Sequence, residues 1–169
     1  MVTETILEFG IKRENEERRD GGCGIIFDPE TRKFAVGKKH ENGSFCLFSG
    51  GVDLSEDMQA GIVREVTEES GLYDFSHVEK IGKAITHYYN TLRKVNRVAH
   101  ATCLLIILNS RKLKAVKLEE HEKFELAWAT ADEVLNDFQS RNQNKDNDHW
   151  IYFFKIALER LKQLEMHAG

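Results

Sequence analysis

The stretch GGVDLSEDMQAGIVREVTEESGL, from Gly50 to Leu72, constrains the fold more than any other part of the sequence. Its apolar residues recur every three to four positions, which predicts an amphipathic helix packed by one face against the rest of the protein. Glu69 lies three residues after Val66 and seven after Ile62, where this spacing calls for an apolar side chain. The sequence therefore places a carboxylate at the rim of the buried face.

Three carboxylates, those of Glu65, Glu68 and Glu69, share one side of this predicted helix. Crowded carboxylates repel one another unless a positive charge lies among them. Arg64 can pair with Glu68 one turn on, but one arginine cannot neutralise three acids. Mg²⁺ prefers oxygen ligands and shares its coordination sphere with waters and substrate phosphates. The cluster therefore indicates a magnesium site, and a solvated acidic helix face is the alternative.

The helix is expected to begin at Ser55 as its N-cap, with Glu56 and Asp57 in the first turn, and to stop at Gly71. Gly61, in the middle of the helix, destabilises it by about 1 kcal/mol relative to alanine. We expect its missing side chain to leave room beside the acids for a ligand.

The remaining pattern predicts strands mixed with a few helices, and hence a mixed sheet covered by helices. A capping box formed by Thr130 and Glu133 begins a short helix, and an apolar spacing of three and four marks a closing helix from Asp148 to Leu164. Strands are predicted for the runs GCGIIFD, KFAVGKK, SFCLFS, VEKIGKAITHYY, RVAHATCLLIIL and FELAWA.

Length and composition favour a single domain over residues 1–169, with residues 1–20 peripheral. The net charge of −4 argues against a dedicated nucleic-acid binder. Cys23, Cys46 and Cys103 form neither a zinc pattern nor a disulfide framework, which is typical of buried thiols in a reducing cytoplasm. The N-terminus lacks the pattern of a signal peptide, and no apolar run is long enough to cross a membrane. We therefore expect a cytoplasmic protein without a membrane segment.

Gly50, Glu56 and the run from Arg64 to Leu72 (REVTEESGL) resemble the Nudix box, complete at every defined position. The resemblance extends over residues from about 20 to 160 and departs from the common pattern at Ser49, where members often have proline, and at Ser55, where glycine is common. It implies an α/β fold, a Nudix-type α/β/α sandwich with a mixed central sheet. It also implies a divalent-metal-dependent hydrolase of a nucleoside diphosphate linked to another group.

The resemblance assigns roles within the box. Arg64 orients the glutamates, Glu56 is a supporting contact, and Mg²⁺, with Mn²⁺ as the alternative, is held by Glu65, Glu68, Glu69 and the Gly50 carbonyl. The general base that activates water is Glu65 or an acid outside the box. In LEEHEKFELAW, which precedes Trp128, Glu122 is the first choice, with Glu120 and Glu125 as rivals and a solvated loop as the alternative.

Residues after the box point to the substrate class. Family members that act on ADP-ribose typically carry a proline about fifteen residues past the box, and this chain has no proline after Pro29. Tyr88, sixteen residues past Leu72, and Tyr89 match the position of a tyrosine in dinucleoside polyphosphate hydrolases, and the run EHEKFELAW resembles a segment of diadenosine tetraphosphate hydrolases. A tyrosine there can stack on a purine, whereas an aromatic-rich strand end is the alternative.

A basic cluster of Arg93, Lys94 and Arg97 suits additional phosphates, although a solvated hairpin loop is the plainer interpretation. His87 and His100 either contact phosphate or are structural. A dinucleoside polyphosphate is therefore the leading substrate.

Two other functions stay open: a housecleaning nucleoside triphosphate pyrophosphatase, and a catalytically silent nucleotide-binding regulator. The expected partner in each case is a nucleotide, and a homodimer is left open.

Overall fold

The computed structural model describes residues 6–90, 93–119, 123–142 and 145–166. Its strands form one open mixed sheet in which the central path runs β1–β7–β8–β3–β4–β5. Short strands pair beside this path, β2 with β8, β6 with β3 and β9 with β4. The nine strands are β1 (Leu7–Gly10), β2 (Glu17–Arg18), β3 (Gly21–Asp28), β4 (Lys33–Lys39), β5 (Phe45–Cys46), β6 (Phe48–Gly51), β7 (Phe75–Asn90), β8 (Val95–Leu108) and β9 (Phe124–Ala129).

Three helices cover the sheet: α1 (Met58–Ser70), α2 (Ala131–Ser140) and α3 (Asp148–Gln163). Alternate residues of β3 show how the two faces are filled. Ile26 packs in a core with Ile62 and Val66 of α1, whereas Ile25 and Phe27 pack in a second core with α2 and α3. The layers are therefore α1, sheet, and the α2–α3 pair, which confirms the expected α/β/α arrangement.

Parallel and antiparallel pairs coexist because the N-terminal strands join the sheet beside strands that are distant in the sequence. β3 lies parallel to β8, β1 parallel to β7 and β2 parallel to β8, while β7 and β8 form a long antiparallel hairpin. Two short strands, Leu7–Gly10 and Glu17–Arg18, thus join the sheet from within the segment that the sequence predicts to be peripheral. No helix among the residues that the structure describes is long and apolar enough to cross a membrane.

The start of α1 differs from the sequence prediction. Asp57, rather than Ser55, is the N-cap, and its carboxylate accepts a 3.0 Å hydrogen bond from the N–H of Ala60. Aspartate caps a helix as well as serine does, and the shift leaves Glu56 outside the helix, where its side chain can reach Arg64. The predicted stop at Gly71 is confirmed, since Gly71 adopts φ of 82° and its N–H donates to the carbonyl of Thr67.

Gly61 also has a different role from the one that the sequence suggests. A Cβ at Gly61 would lie 2.6 Å from a methyl group of Val52. The space is therefore filled by an apolar side chain that packs against α1, and no room for a ligand is left there. The predicted third strand, SFCLFS, is in fact two short strands, β5 and β6, separated at Leu47.

Other expectations are confirmed. Thr130 and Glu133 form the capping box at the start of α2, and α3 begins at Asp148. Cys23, Cys46 and Cys103 are buried, reduced thiols. Burial raises the pKa of the Cys103 thiol, and Cys23 lies beside it in register on the parallel pair of β3 and β8.

Candidate functional site

Arg64 is the hub of the carboxylate cluster on α1. Its guanidinium forms a two-bond fork with Glu56, at 2.8 and 2.9 Å, and donates further hydrogen bonds to Glu65 at 3.1 Å and Glu68 at 3.3 Å. The hydrogen bond to Glu56 raises the pKa of Arg64 and lowers the pKa of Glu56, so both groups are charged. Three acids that surround one arginine leave a local excess of negative charge.

Glu69 is the buried member of the cluster, with only 6% of its surface exposed. One carboxylate oxygen accepts a 2.8 Å hydrogen bond from the backbone N–H of Ser49 on β6. A buried carboxylate needs such a donor because burial otherwise disfavours its charge. The bond attaches the end of α1 to the strand that carries Gly50.

Gly50 is in close contact with the cluster. A Cβ at this position would lie 2.4 Å from Cδ of Glu65 and 2.6 Å from one of its oxygens, so only glycine allows the Glu65 carboxylate to lie against the backbone of β6. Gly50 and Gly51 also pair with Gly22 and Gly21 of β3, and a Cβ on Gly21 would lie 2.2 Å from the Gly50 carbonyl oxygen. Glycines on both strands therefore allow the close approach of β3, β6 and the Glu65 side chain.

The side chains of the cluster are held by protein groups rather than arranged around a common point. In the described part of the chain, no three carboxylate, histidine or cysteine side chains converge in the manner of a metal centre. Arg64 holds Glu65 and Glu68, while Ser49 holds Glu69. The donor set nevertheless fits a hard divalent cation, because all of its members are oxygens and Gly50 leaves the required room beside Glu65.

A cavity of about 780 Å³ opens beside β6 and has Ser49, Gly50 and Gly51 in its wall. Its volume lies in the range of about 300–1,000 Å³ that is typical of small-molecule sites. Gly50 therefore contacts both the cavity and the carboxylate cluster. Glu65, Glu68 and Glu69 do not themselves line the cavity, so Gly50 is the residue that connects it to the cluster.

One part of the cavity wall is aromatic. Tyr88 and Tyr89 of β7 and Trp150 and Phe153 of α3 line it, together with His149. The His149 ring lies 5.6 Å from the Trp150 ring, and burial lowers the pKa of His149 to about 4. The imidazole is neutral at pH 7, so this part of the wall presents flat, uncharged rings of the kind on which a nucleobase stacks.

Another part of the wall is basic. Arg13, Arg19, Arg97 and Lys145 all line the cavity. Lys94 and Arg93 of the predicted basic cluster lie exposed in the turn between β7 and β8, and they do not line this cavity. Arg97 alone of that predicted cluster contributes to the wall.

The two histidines singled out by the sequence lie in different surroundings. His87 is buried, and its ring nitrogens contact the carboxylates of Glu16 at 2.8 Å and Glu8 at 3.1 Å. The backbone N–H of His100 donates to Asp20, and its side chain does not line the cavity. His87 therefore connects the N-terminal segment to the sheet, and it also lines the cavity.

The sequence offers four candidates for a general base: Glu65, Glu120, Glu122 and Glu125. Glu122 and Glu120 lie outside the described residues. Glu125 is exposed on β9, opposite Lys38 of β4. Glu65 lies against Gly50, next to the cavity.

Sequence reasoning missed Arg13, Arg19, His149 and Trp150 as cavity residues. The arginines come from the segment that was predicted to be peripheral, and His149 and Trp150 were assigned only to an amphipathic helix. No local signal distinguishes them, because their neighbours in the cavity are far away in the sequence. Gly10, the last residue of β1, adopts a positive φ of 81° where this segment leaves the sheet.

The NUDIX domain model matches residues 17–154, most of the chain. The α/β/α sandwich and the carboxylate helix agree with this domain model. The chain belongs to the Nudix family.

Relatives and solved structures agree with this assignment. A MutT-like protein of Streptomyces ambofaciens is 26% identical over 112 residues, which cover 66% of this chain and 64% of that protein, less than two thirds of its length. The NUDIX domain of Shewanella oneidensis NrtR, solved with ADP ribose, has a TM-score of 0.59 at 13% identity and covers 94% of this chain and 90% of its own.

A C. elegans Ap4A hydrolase is also similar, with a TM-score of 0.55 at 13% identity, and the match covers 86% of this chain and 98% of that one. At these identities the solved structures establish similarity of fold only.

Proposed function

We propose that this protein is a divalent-metal-dependent hydrolase of a phosphoanhydride bond in a nucleoside diphosphate linked to another group. The observation that carries the proposal is the position of Gly50, which touches the Glu65 carboxylate on one side and lines the cavity on the other. A phosphate chain that extends from the cavity would thus reach the acids of α1. The intact Nudix box supports the same activity.

In this proposal Glu65, Glu68, Glu69 and the Gly50 carbonyl hold Mg²⁺, or Mn²⁺ in its place. When bound, the cation neutralises phosphate charge, positions the attacking water and stabilises the leaving phosphate. Arg64 keeps its fork to Glu56 independently of the other acids, so Glu65 and Glu68 are able to turn to the cation while the guanidinium stays anchored. Ser49 orients Glu69 through its backbone N–H.

Proton removal from the water is assigned to Glu122, with Glu65 as the alternative. Glu65 is the alternative because it lies beside Gly50, at the boundary of the cavity. Each glutamate is replaced by glutamine, and the rate of hydrolysis is measured as a function of pH. In the variant that lacks the general base, the rate no longer falls along the acidic limb of the profile.

The leading substrate is a dinucleoside polyphosphate such as diadenosine tetraphosphate. Tyr88 lies in the cavity wall with Trp150 and His149, which supports stacking of one base, while Tyr89 is 47% exposed and available for a second base. Attack of water on one phosphorus breaks a P–O–P bond, so that diadenosine tetraphosphate yields ATP and AMP.

The second candidate is a housecleaning pyrophosphatase that converts an oxidised or non-standard nucleoside triphosphate into a monophosphate and pyrophosphate. The similarity to a MutT-like protein favours it. The third candidate, a silent nucleotide-binding regulator, is disfavoured by the intact box.

A nucleotide panel with and without Mg²⁺, with the products resolved, separates the three candidates. ATP plus AMP from diadenosine tetraphosphate supports the leading proposal. Pyrophosphate from triphosphates, with dinucleotides untouched, supports the second. Nucleotide binding without any hydrolysis, under Mg²⁺ and under Mn²⁺, contradicts the enzymatic proposal and leaves the regulator.

A further inference from the structure

The N-terminal segment is held firmly against the sheet at His87. Glu8 and Glu16 contact the two ring nitrogens of His87, and β1 pairs with β7 alongside. Gly10 lies so close to the chain of β7 that a Cβ would be 2.1 Å from the His87 carbonyl oxygen. A segment anchored in this way positions its side chains reproducibly.

Arg19 of this segment lies directly over the β6 backbone. A Cβ on Gly51 would be 2.5 Å from Nε of Arg19 and 2.8 Å from one of its terminal nitrogens. Gly51 follows Gly50, so the guanidinium is adjacent to the strand that carries Gly50. The ion pair that Arg19 makes within the described residues, with Asp53 at 3.5 Å, is long and mostly exposed. Its charge is therefore little neutralised.

Arg97 lies opposite Glu17 in the β2–β8 register, and the N–H of Arg19, two residues after Glu17, donates to the carbonyl of Val98 at 3.0 Å. The Arg97 side chain is only 13% exposed, and its nearest acid is Glu17 at 3.9 Å. Its buried Nε lacks a hydrogen-bond partner among the described residues. Buried donors of this kind are rare in native proteins, and the described residues supply no partner for this one.

Both arginines line the cavity, and Arg97 lies directly opposite Tyr88 in the β7–β8 register. A guanidinium offers a planar fork that matches a phosphate, and a stacked base would lie next to the Arg97 position. We infer that Arg19 and Arg97 form an anion subsite that binds the phosphate chain of the nucleotide between the base-stacking wall and Gly50. The N-terminal segment is thereby part of the substrate site. This inference rests on the proposed nucleotide substrate.

Arg18 supplies a matched control. It is the sequence neighbour of Arg19, but its guanidinium forms a fork with Asp20, is 61% exposed and does not line this cavity. Arg19→Gln, Arg97→Gln and Arg18→Gln each remove one positive charge. Only the first two change the proposed subsite.

The first measurement is calorimetric binding of inorganic tripolyphosphate to the full chain in EDTA, which requires no turnover. Arg19→Gln and Arg97→Gln are expected to weaken binding about tenfold or more, since loss of one charge-assisted hydrogen bond has this size. Arg18→Gln is expected to bind as the wild type does. Equal affinities for all three variants, or no binding by the wild type, overturn the inference.

The second measurement is hydrolysis with Mg²⁺ of whichever nucleotide the panel identifies. Arg19→Gln and Arg97→Gln are expected to raise KM about tenfold with a smaller change in kcat, and Arg18→Gln to leave both unchanged. If the wild type turns over and KM is unaltered in both variants, the subsite is contradicted and the proposed activity is supported. If tripolyphosphate binding depends on both arginines but the protein hydrolyses no nucleotide, the proposed activity is contradicted and the subsite is supported.

Arg97 is largely buried, so Arg97→Gln is checked by thermal unfolding, and Arg97→Lys serves if it fails to fold. Lysine keeps the charge but loses the planar fork, and we expect an intermediate affinity. The Arg19 side chain is 44% exposed, so Arg19→Gln should fold normally and tests the contribution of Arg19 whatever the stability of the Arg97 variants.

Discussion

The Glu69 carboxylate accepts a 2.8 Å hydrogen bond from the backbone N–H of Ser49, the residue that precedes Gly50. This bond joins the last turn of α1 to β6 and explains how a nearly buried acid is stabilised on the apolar face of a helix. It also fixes one carboxylate of the cluster relative to the Gly50 carbonyl. The bond needs only an oxygen acceptor at position 69, whereas metal binding needs the negative charge. The structural role of Glu69 and its proposed role as a metal ligand can therefore be tested separately.

Glu69→Gln is expected to preserve the fold and to abolish most of the activity. The amide oxygen of glutamine can still accept the Ser49 bond, but the anionic ligand is lost. We expect kcat to fall by roughly 100-fold or more, the scale of removing one key electrostatic group from an active site. The melting temperature should stay close to that of the wild type.

Glu159→Gln is the control, because Glu159 is 70% exposed on α3. Glu159→Gln should change neither kcat nor the melting temperature. Full activity of Glu69→Gln with the wild-type requirement for Mg²⁺ would show that Glu69 does not bind the metal.

Gly50→Ala tests the close approach of Glu65 to β6. The added Cβ would lie 2.4 Å from Cδ of Glu65, so the carboxylate must move. We expect the affinity for Mn²⁺, measured by electron paramagnetic resonance, to fall at least about tenfold, as it does when the surroundings of a metal ligand are disturbed. Gly82→Ala, whose nearest contact is a side-chain methyl at 3.3 Å, should bind Mn²⁺ normally.

The carboxylate helix was predictable because its signal is local. The apolar spacing, the position of Glu69 and the box residues all lie within Gly50–Leu72, so periodicity alone places the acids on one face. The cap was predicted two residues too early, since serine and aspartate are almost equally good N-caps and the local sequence does not choose between Ser55 and Asp57.

The cavity was much less predictable. Its wall combines Tyr88 of β7, Arg97 of β8, Trp150 of α3 and Arg19 from the connection between β2 and β3. The parallel pairing of β1 with β7 and of β2 with β8 joins residues about 80 positions apart, and no spacing in the sequence encodes that pairing. Gly61 shows the same limit, because the side chain that fills its space, Val52, comes from before the helix.

Arg64→Lys is expected to reduce activity although it keeps the charge. A lysine ammonium cannot form the fork to Glu56 and also reach Glu65 and Glu68, so the acids lose their common orientation. We expect kcat/KM to fall about 10–100-fold, the range for partners that orient metal ligands.

Arg141→Lys alters an exposed arginine that pairs with Asp137, and it serves as the control. Wild-type kcat/KM in Arg64→Lys would mean that charge alone suffices at position 64.

The His87 contacts with Glu8 and Glu16 predict a pH-dependent stability. Burial by itself lowers the pKa of His87, but the hydrogen bonds to Glu8 and Glu16 outweigh it and raise the pKa above the ordinary 6.5. Burial by itself raises the pKa of Glu16, but its hydrogen bonds to His87 and to the Arg13 N–H outweigh it and lower the pKa below 4.5.

A raised histidine pKa stabilises the fold fully below pH 6.5 and loses its effect as the pH rises through the folded value. A lowered glutamate pKa stabilises it above pH 4.5 and loses its effect as the pH falls through the folded value. The contribution is therefore largest between pH 4.5 and 6.5.

His87→Gln tests this prediction by urea unfolding at several pH values. The difference in unfolding free energy from the wild type should be largest between pH 4.5 and 6.5 and shrink in more alkaline solution. His40→Gln, at an exposed position, should show no such profile. A constant difference at every pH would contradict a charged contact between His87 and the N-terminal segment.

Tyr88→Ala tests the aromatic wall of the cavity. Loss of one stacking ring from a base weakens binding by about 1–3 kcal/mol, so KM for the nucleotide should rise roughly 5- to 150-fold. Tyr88→Phe keeps the ring and should retain a KM near that of the wild type. Tyr73→Ala removes a tyrosine that is 38% exposed and lies outside the cavity, where Lys114 covers its ring, and it should leave KM unchanged. An equal rise in KM for Tyr88→Ala and Tyr88→Phe would assign the effect to the hydroxyl rather than to stacking, whereas an unchanged KM in both would remove Tyr88 from the substrate site.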